Sequence, residues 1–164
     1  MLAFQALFHQ LDQVTGTRAK VLLLVEHFRS VPAADAAWCL ALLLGKRRRR
    51  LITGRRLRAI LEQRGGIPEW LIAECHAQVG DSAETITLLW PAVSSKVEPV
   101  QSDLPTIPEH QPLHWWMDTL LPTVSSLKDD AEADAVLELW QSVPGNQHFV
   151  MNKLLTGGFR VGVS

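Results

Sequence analysis

Residues 53–90 read TGRRLRAILEQRGGIPEWLIAECHAQVGDSAETITLLW, and this stretch decides the fold class. Leu57, Ile60 and Leu61 fall at the spacing that places apolar side chains on one face of a helix, with Arg55, Arg56 and Arg58 off that stripe and projecting outward. Thr53 stands where a hydroxyl can accept from the unpaired backbone N–H groups of the first turn, and Gly65 with Gly66 ends the helix. Pro68 suits the first turn of a second helix, through Trp70, Leu71, Ala73, Cys75 and Val79 to Gly80. Asp81 and Ser82 then cap a third over 83–90. Helices punctuated by Gly and Pro predict an all-α fold.

The flanks extend the same pattern. Phe4, Leu7, Phe8 and Leu11 predict an amphipathic helix ending near Gly16, and Thr15 or Thr17 can cap a second that turns Ala19, Leu22, Leu23, Val25 and Phe28 inward. Residues 33–44 are apolar on every side, the mark of a central helix, and Gly45 closes it. Pro91, Pro99, Pro105, Pro108 and Pro112 disfavour both helix and sheet over 91–112, a linker or long surface excursion. Beyond it, Leu113, Trp116, Met117, Leu120 and Leu121 form a helix expected to stop at Pro122. A helix with an acidic first turn (129–134) and apolar Ala133, Val136, Leu137 and Trp140 follows, then one carrying Phe149, Val150, Leu154 and Leu155 up to Gly157 and Gly158. The expected architecture is a compact multi-helix domain over 1–164, with a helical lobe at 1–90, a Pro-rich connection at 91–112 and a second lobe at 113–164.

Composition narrows the functional classes. Tyr is absent and β-branched residues are sparse, which favours helix. Cys39 and Cys75 sit in apolar helical patterns without a CxxC pair, so they read as reduced core thiols. No apolar run approaches the roughly 18 residues of a membrane span, and the N-terminus lacks a basic leader, which predicts a cytoplasmic protein with no membrane partner. None of the six histidines lies in an HExxH pattern, and the acidic cluster at 129–134 lacks the Gly and spaced ligands of a calcium loop, so no metal is expected. Trp38, Trp70, Trp90 and Trp140 fall on apolar faces and are expected in the core, whereas Trp115 and Trp116 cannot both face inward.

Charge is distributed unevenly. Residues 46–58 contain eight of the sixteen Lys and Arg, and residues 1–64 carry a net charge of plus eight against minus nine for 65–164. The run Lys46, Arg47, Arg48, Arg49 and Arg50 is flanked by helices and followed by Arg55, Arg56 and Arg58, which makes an ordered phosphate-binding face the better reading than a solvated charge run. A second candidate is the end of the chain, NKLLTGGFRVGVS over 152–164. There Gly157 and Gly158 let bare backbone amides approach an anion, Arg160 adds a charge, and Ser164 reads as the cap of a further helix.

Taken together, this ending, the Gly80-Asp81 turn, PEWLIAE over 68–74 and the basic segment 44–50 resemble the N-terminal DNA-binding domain of bacterial ATP-dependent DNA ligases, over essentially the whole chain. Phe159 stands where that family more often has Leu. The resemblance implies an all-helical domain that grips nicked duplex DNA through its backbone with little sequence preference, in DNA repair, replication and recombination. It implies DNA contacts from Lys46, Arg47, Arg48, Arg50, Arg55, Arg56, Arg58, Thr156, Gly157, Gly158, Arg160 and Gly162. It also implies a monomer that associates with the enzyme's own catalytic domains and with the nucleoid when bound to DNA. Ligation in that family needs ATP, Mg2+ and a lysine in a Lys-x-Asp-Gly motif. None of Lys20, Lys46, Lys96, Lys128 and Lys153 begins one, so the chain is expected to bind without catalysing, as the front part of a larger enzyme cut before its last helix. Charge alone would equally serve a helical protein-interaction scaffold or an RNA-binding helical domain.

Overall fold

The computed structural model describes residues 1–46 and 51–159, and among these every regular element is helical, with no strand. The first run comprises α1 (Leu2–Gln13), α2 (Thr17–Ser30), α3 (Ala33–Leu43), α4 (Gly54–Gly65), α5 (Glu69–Val79) and α6 (Ser82–Leu89). After the Pro-rich connection come α7 (Leu113–Trp115), a π-helical turn (Trp116–Leu120), α8 (Leu121–Ser126), α9 (Asp129–Ser142) and α10 (His148–Thr156). The N-caps form as the sequence requires: Thr53 Oγ1 accepts from Arg56 N at 3.1 Å, and Asp81 Oδ1 from Glu84 N at 3.0 Å. Gly66, Gly80 and Gly157 take the left-handed conformation that ends α4, α5 and α10.

Helices on both sides of the connection share one apolar core. Leu57, Ile60 and Leu61 of α4 and Ile86 of α6 are buried in the same cluster as Val136, Leu139 and Trp140 of α9 and Leu154 and Leu155 of α10. The Phe159 ring meets Phe4 at 5.3 Å and Phe8 at 5.2 Å edge-on, fastening the chain after α10 to α1. The Pro-rich connection is fixed along α9: Val100 N donates to Gln141 Oε1 at 2.9 Å and Ser102 N to Glu138 Oε2 at 2.6 Å. Its Val97, Val100, Leu104 and Ile107 pack against the core.

Three expectations about burial and one about a helix end change. α2 turns Leu23, Leu24, His27 and Phe28 inward and leaves Leu22 and Val25 exposed, because its VLLLV run fits more than one stripe and the polar His27 masks the chosen one. α3 is peripheral, with Leu40 and Leu44 exposed; its inward face carries Cys39, Leu42 and Asp35. Trp70 is 70 % exposed, because α5 turns inward the face of Ile72, which is buried, and of Cys75, His76 and Val79, which are half-buried. The helix beginning at Leu113 continues past Pro122, which lies in the first turn of α8 after the wider π turn. The missing N–H and the ring bulk of proline are tolerated at that position.

Candidate nucleic-acid interface

Three connections meet at one end of α4. The α3–α4 segment, which carries the basic run, re-emerges from its undescribed part at Leu51 and Ile52, and both backbone N–H groups donate to the Leu155 carbonyl near the end of α10, at 3.3 and 3.2 Å. Gly54, at the start of α4, abuts Ser82 at the start of α6 so closely that a Cβ there would lie 2.4 Å from Ser82 Oγ and 2.8 Å from Ser82 Cβ. Lys153 of α10 forms an ion pair with Asp81 of the Gly80-Asp81 turn. The result is a shared cleft lined by Gly45, Gly54, Gly80, Asp81, Ser82 and the Thr156–Gly158 turn, with His76 at its wall.

Of the residues that the sequence nominates, Lys46 lies exposed beside this cleft at the end of α3, and Thr156, Gly157 and Gly158 form part of its lining. A side chain at Gly158 would meet only Thr156 Oγ1 at 3.6 Å and the Lys153 side chain at 3.8 Å, ordinary contacts, so small residues leave this rim open without being forced by packing. Arg55 is exposed and, with Arg58 and His76, lines a groove between α4 and α5. Arg47, Arg48, Arg50, Arg160 and Gly162 lie outside the described residues.

Two of the arginines expected to project outward are engaged within the molecule. Arg56 Nε donates to Glu132 Oε1 at 2.8 Å and its Nη2 to the Asp129 carbonyl at 2.8 Å; Arg58 Nη1 donates to Ser82 Oγ. Arg64 joins the first pair, bridging Asp130 and Asp134 at 3.1 Å each. The acidic start of α9 is therefore a clamp for α4 as well as a match for the helix dipole.

Asp81 occupies a pivotal place. Burial acts to raise its pKa, but the hydrogen bond from Lys153, the capping N–H of Glu84, the Lys153 charge and the Ala83 N–H outweigh it and hold the carboxyl below its ordinary range. Sequence reasoning noted the Gly-Asp turn and held Lys153 within its second candidate segment without a partner, and it missed Gly54. The available signal for Lys153 was its position on the last turn of α10, facing the same side as the glycines.

Other clusters carry different chemistry. His110 and His114 stand four apart, but His110 is exposed in the connection and His114 Nδ1 lies 2.6 Å from Asp35 Oδ1. Among the described residues no group of His, Cys, Asp or Glu is placed to hold a metal ion, and no helix is long and apolar enough to cross a membrane.

A protein-family model described as DNA ligase N terminus matches residues 1–164. No curated protein and no solved structure gives a significant match. The family match spans the basic segment as well as the Gly80-Asp81 turn and the glycines after α10, and the fold gathers the last two around one cleft. The chain belongs to the DNA ligase N-terminus family.

Proposed function

We propose that this chain binds nicked duplex DNA without sequence preference, as the N-terminal module of an ATP-dependent DNA ligase. The observation that carries the reading is the convergence of the α3–α4 segment, the α5–α6 turn and the end of α10 on one cleft flanked by Lys46. Glycine-rich turns allow close approach of backbone amides to phosphates, and the basic run of 46–50 supplies the long-range attraction. Phosphate and sugar contacts fix a protein on a duplex without reading its sequence, as joining of arbitrary ends requires.

In this reading Lys46, Arg47, Arg48, Arg50, Arg55 and Arg160 supply charge, the Thr156–Gly158 turn supplies open backbone, and Gly162 is a further contact. Arg58 braces the cleft through Ser82, and Arg56 ties α4 to α9. ATP and Mg2+ would act in the ligase's nucleotidyltransferase domain, with which this module associates; binding as a monomer in the cytoplasm belongs to the same proposal. Titration of nicked, intact and single-stranded DNA of unrelated sequences, and of duplex RNA, tests it. Preference for nicked duplex at equal affinity across sequences is expected. Preference for RNA, or no binding to any of them, would overturn it.

A further inference from the structure

The Asp81–Lys153 ion pair sits between the turns rather than at their rim. Lys153 is only 12 % exposed and Asp81 32 %, and the Lys153 ammonium also lies 5.3 Å from the centre of the Phe149 ring. The backbone of Lys153 is committed too, because its carbonyl accepts from Gly157 N at 2.8 Å and closes the end of α10. Asp81 divides its carboxylate, one oxygen capping α6 and the other holding Lys153. A single carboxylate thus joins the start of α6 to the end of α10, while Leu155 holds the start of the α4 segment through its carbonyl.

We infer that Asp81 and Lys153 are positioning residues for the DNA-binding cleft, setting the Thr156–Gly158 turn against the starts of α4 and α6 so that the backbone groups address one phosphate path. This rests on the DNA-binding reading above. The ammonium is turned to Asp81 and the Phe149 face, so the pair acts through geometry and supplies no net charge to the ligand. Electrostatics alone would give the two residues opposite effects: loss of the acid would strengthen attraction to DNA and loss of the lysine would weaken it. Positioning gives both the same sign.

The variants Asp81→Asn, which retains a capping side chain, Lys153→Met, which retains the apolar stem, their double mutant and Lys153→Arg separate these accounts. Each single change is expected to weaken binding of nicked duplex about tenfold, and the double to be no weaker than either single, as for two members of one interacting pair. The dependence on salt stays as in the parent chain, and Lys153→Arg restores affinity. Tighter binding by Asp81→Asn, or a salt slope reduced by about 0.9 in Lys153→Met, would make Lys153 a direct phosphate ligand and overturn the inference. Parental affinity in both single variants would reduce the pair to a stability device. Amide hydrogen exchange provides an arm independent of DNA: Gly157, Leu51 and Ile52, whose amides bond to the Lys153 and Leu155 carbonyls, should lose protection in both single variants while α9 keeps its own. If the parent binds no DNA, the DNA-binding reading fails by itself. Unchanged turn protection would then refute the positioning role as well.

Discussion

Asp35 lies in the first turn of α3, where acid suits the helix dipole, yet its carboxylate faces inward and accepts from His114 N at 2.8 Å. Burial acts to raise its pKa, but the hydrogen bonds from His114 and the Leu113 N–H, with the His114 charge, bring it below the ordinary 3.8. Asp81 is shifted in the same direction. His27 and His148 are buried, and burial lowers both from the ordinary 6.5 against opposing contributions from Asp35 for His27 and from the Val143 and Trp140 carbonyls for His148. All four depressed pKa values act in one sense: the unfolded chain takes up protons before the native chain does, so stability is present above the unfolded values and is lost as pH falls through the folded ones. Thermal denaturation followed by circular dichroism should show the melting temperature falling below pH 6.5 as the histidines are drawn to protonate, and falling further below 3.8 through Asp35 and Asp81. His27 Nε2 has no hydrogen-bond partner among the described residues, so His27→Leu should flatten the upper part of that profile. An unchanged slope would remove His27 from the account.

The helices themselves are legible wherever one stripe dominates, as in α1 and α4, and ambiguous wherever two compete. In α5 the stripe of Trp70 and Ala73 rivals that of Ile72, Cys75 and Val79, and only the neighbouring α6 selects the second. Arg56 and Arg64 look free in the sequence because their partners on α9 lie about seventy residues away. The Arg56–Glu132 pair is partly buried and holds a second hydrogen bond, so Arg56→Ala should cost about 1–2 kcal/mol in denaturant unfolding. Arg64→Ala should cost about 0.5 kcal/mol, as one of its partners is fully in water. Equal losses would show that the clamp is not centred on Glu132. Gly54 gives the sharper test of packing between α4 and α6. Alanine is the better helix former by about 1 kcal/mol, yet Gly54→Ala should destabilise by about 1–3 kcal/mol, because its Cβ would overlap Ser82. Adding Ser82→Gly should recover part of that loss, and stabilisation by Gly54→Ala alone would contradict the close approach.

At the scale of the whole molecule, the strong separation of basic and acidic halves resolves into two uses. Part of the acid is spent on the α4–α9 clamp, while of the described basic residues of 46–58 Lys46 follows the cleft-lining Gly45 and Arg55 lines the α4–α5 groove. Sequence alone suggested two separate contact regions; the fold brings the described part of both to the same place, through hydrogen bonds from Leu51 and Ile52 to Leu155 that no local pattern encodes. Gly157 was legible because the left-handed backbone that ends a helix favours glycine, whereas the pairing of Asp81 with Lys153 requires the tertiary fold. The most direct test of the account is the salt dependence of nicked-duplex affinity, measured for the parent chain and for the combined variant Arg47→Gln, Arg48→Gln and Arg50→Gln. The account predicts uniformly weaker binding across unrelated sequences and a slope reduced by about 0.9 for each phosphate contact removed; an unchanged affinity and slope would contradict it.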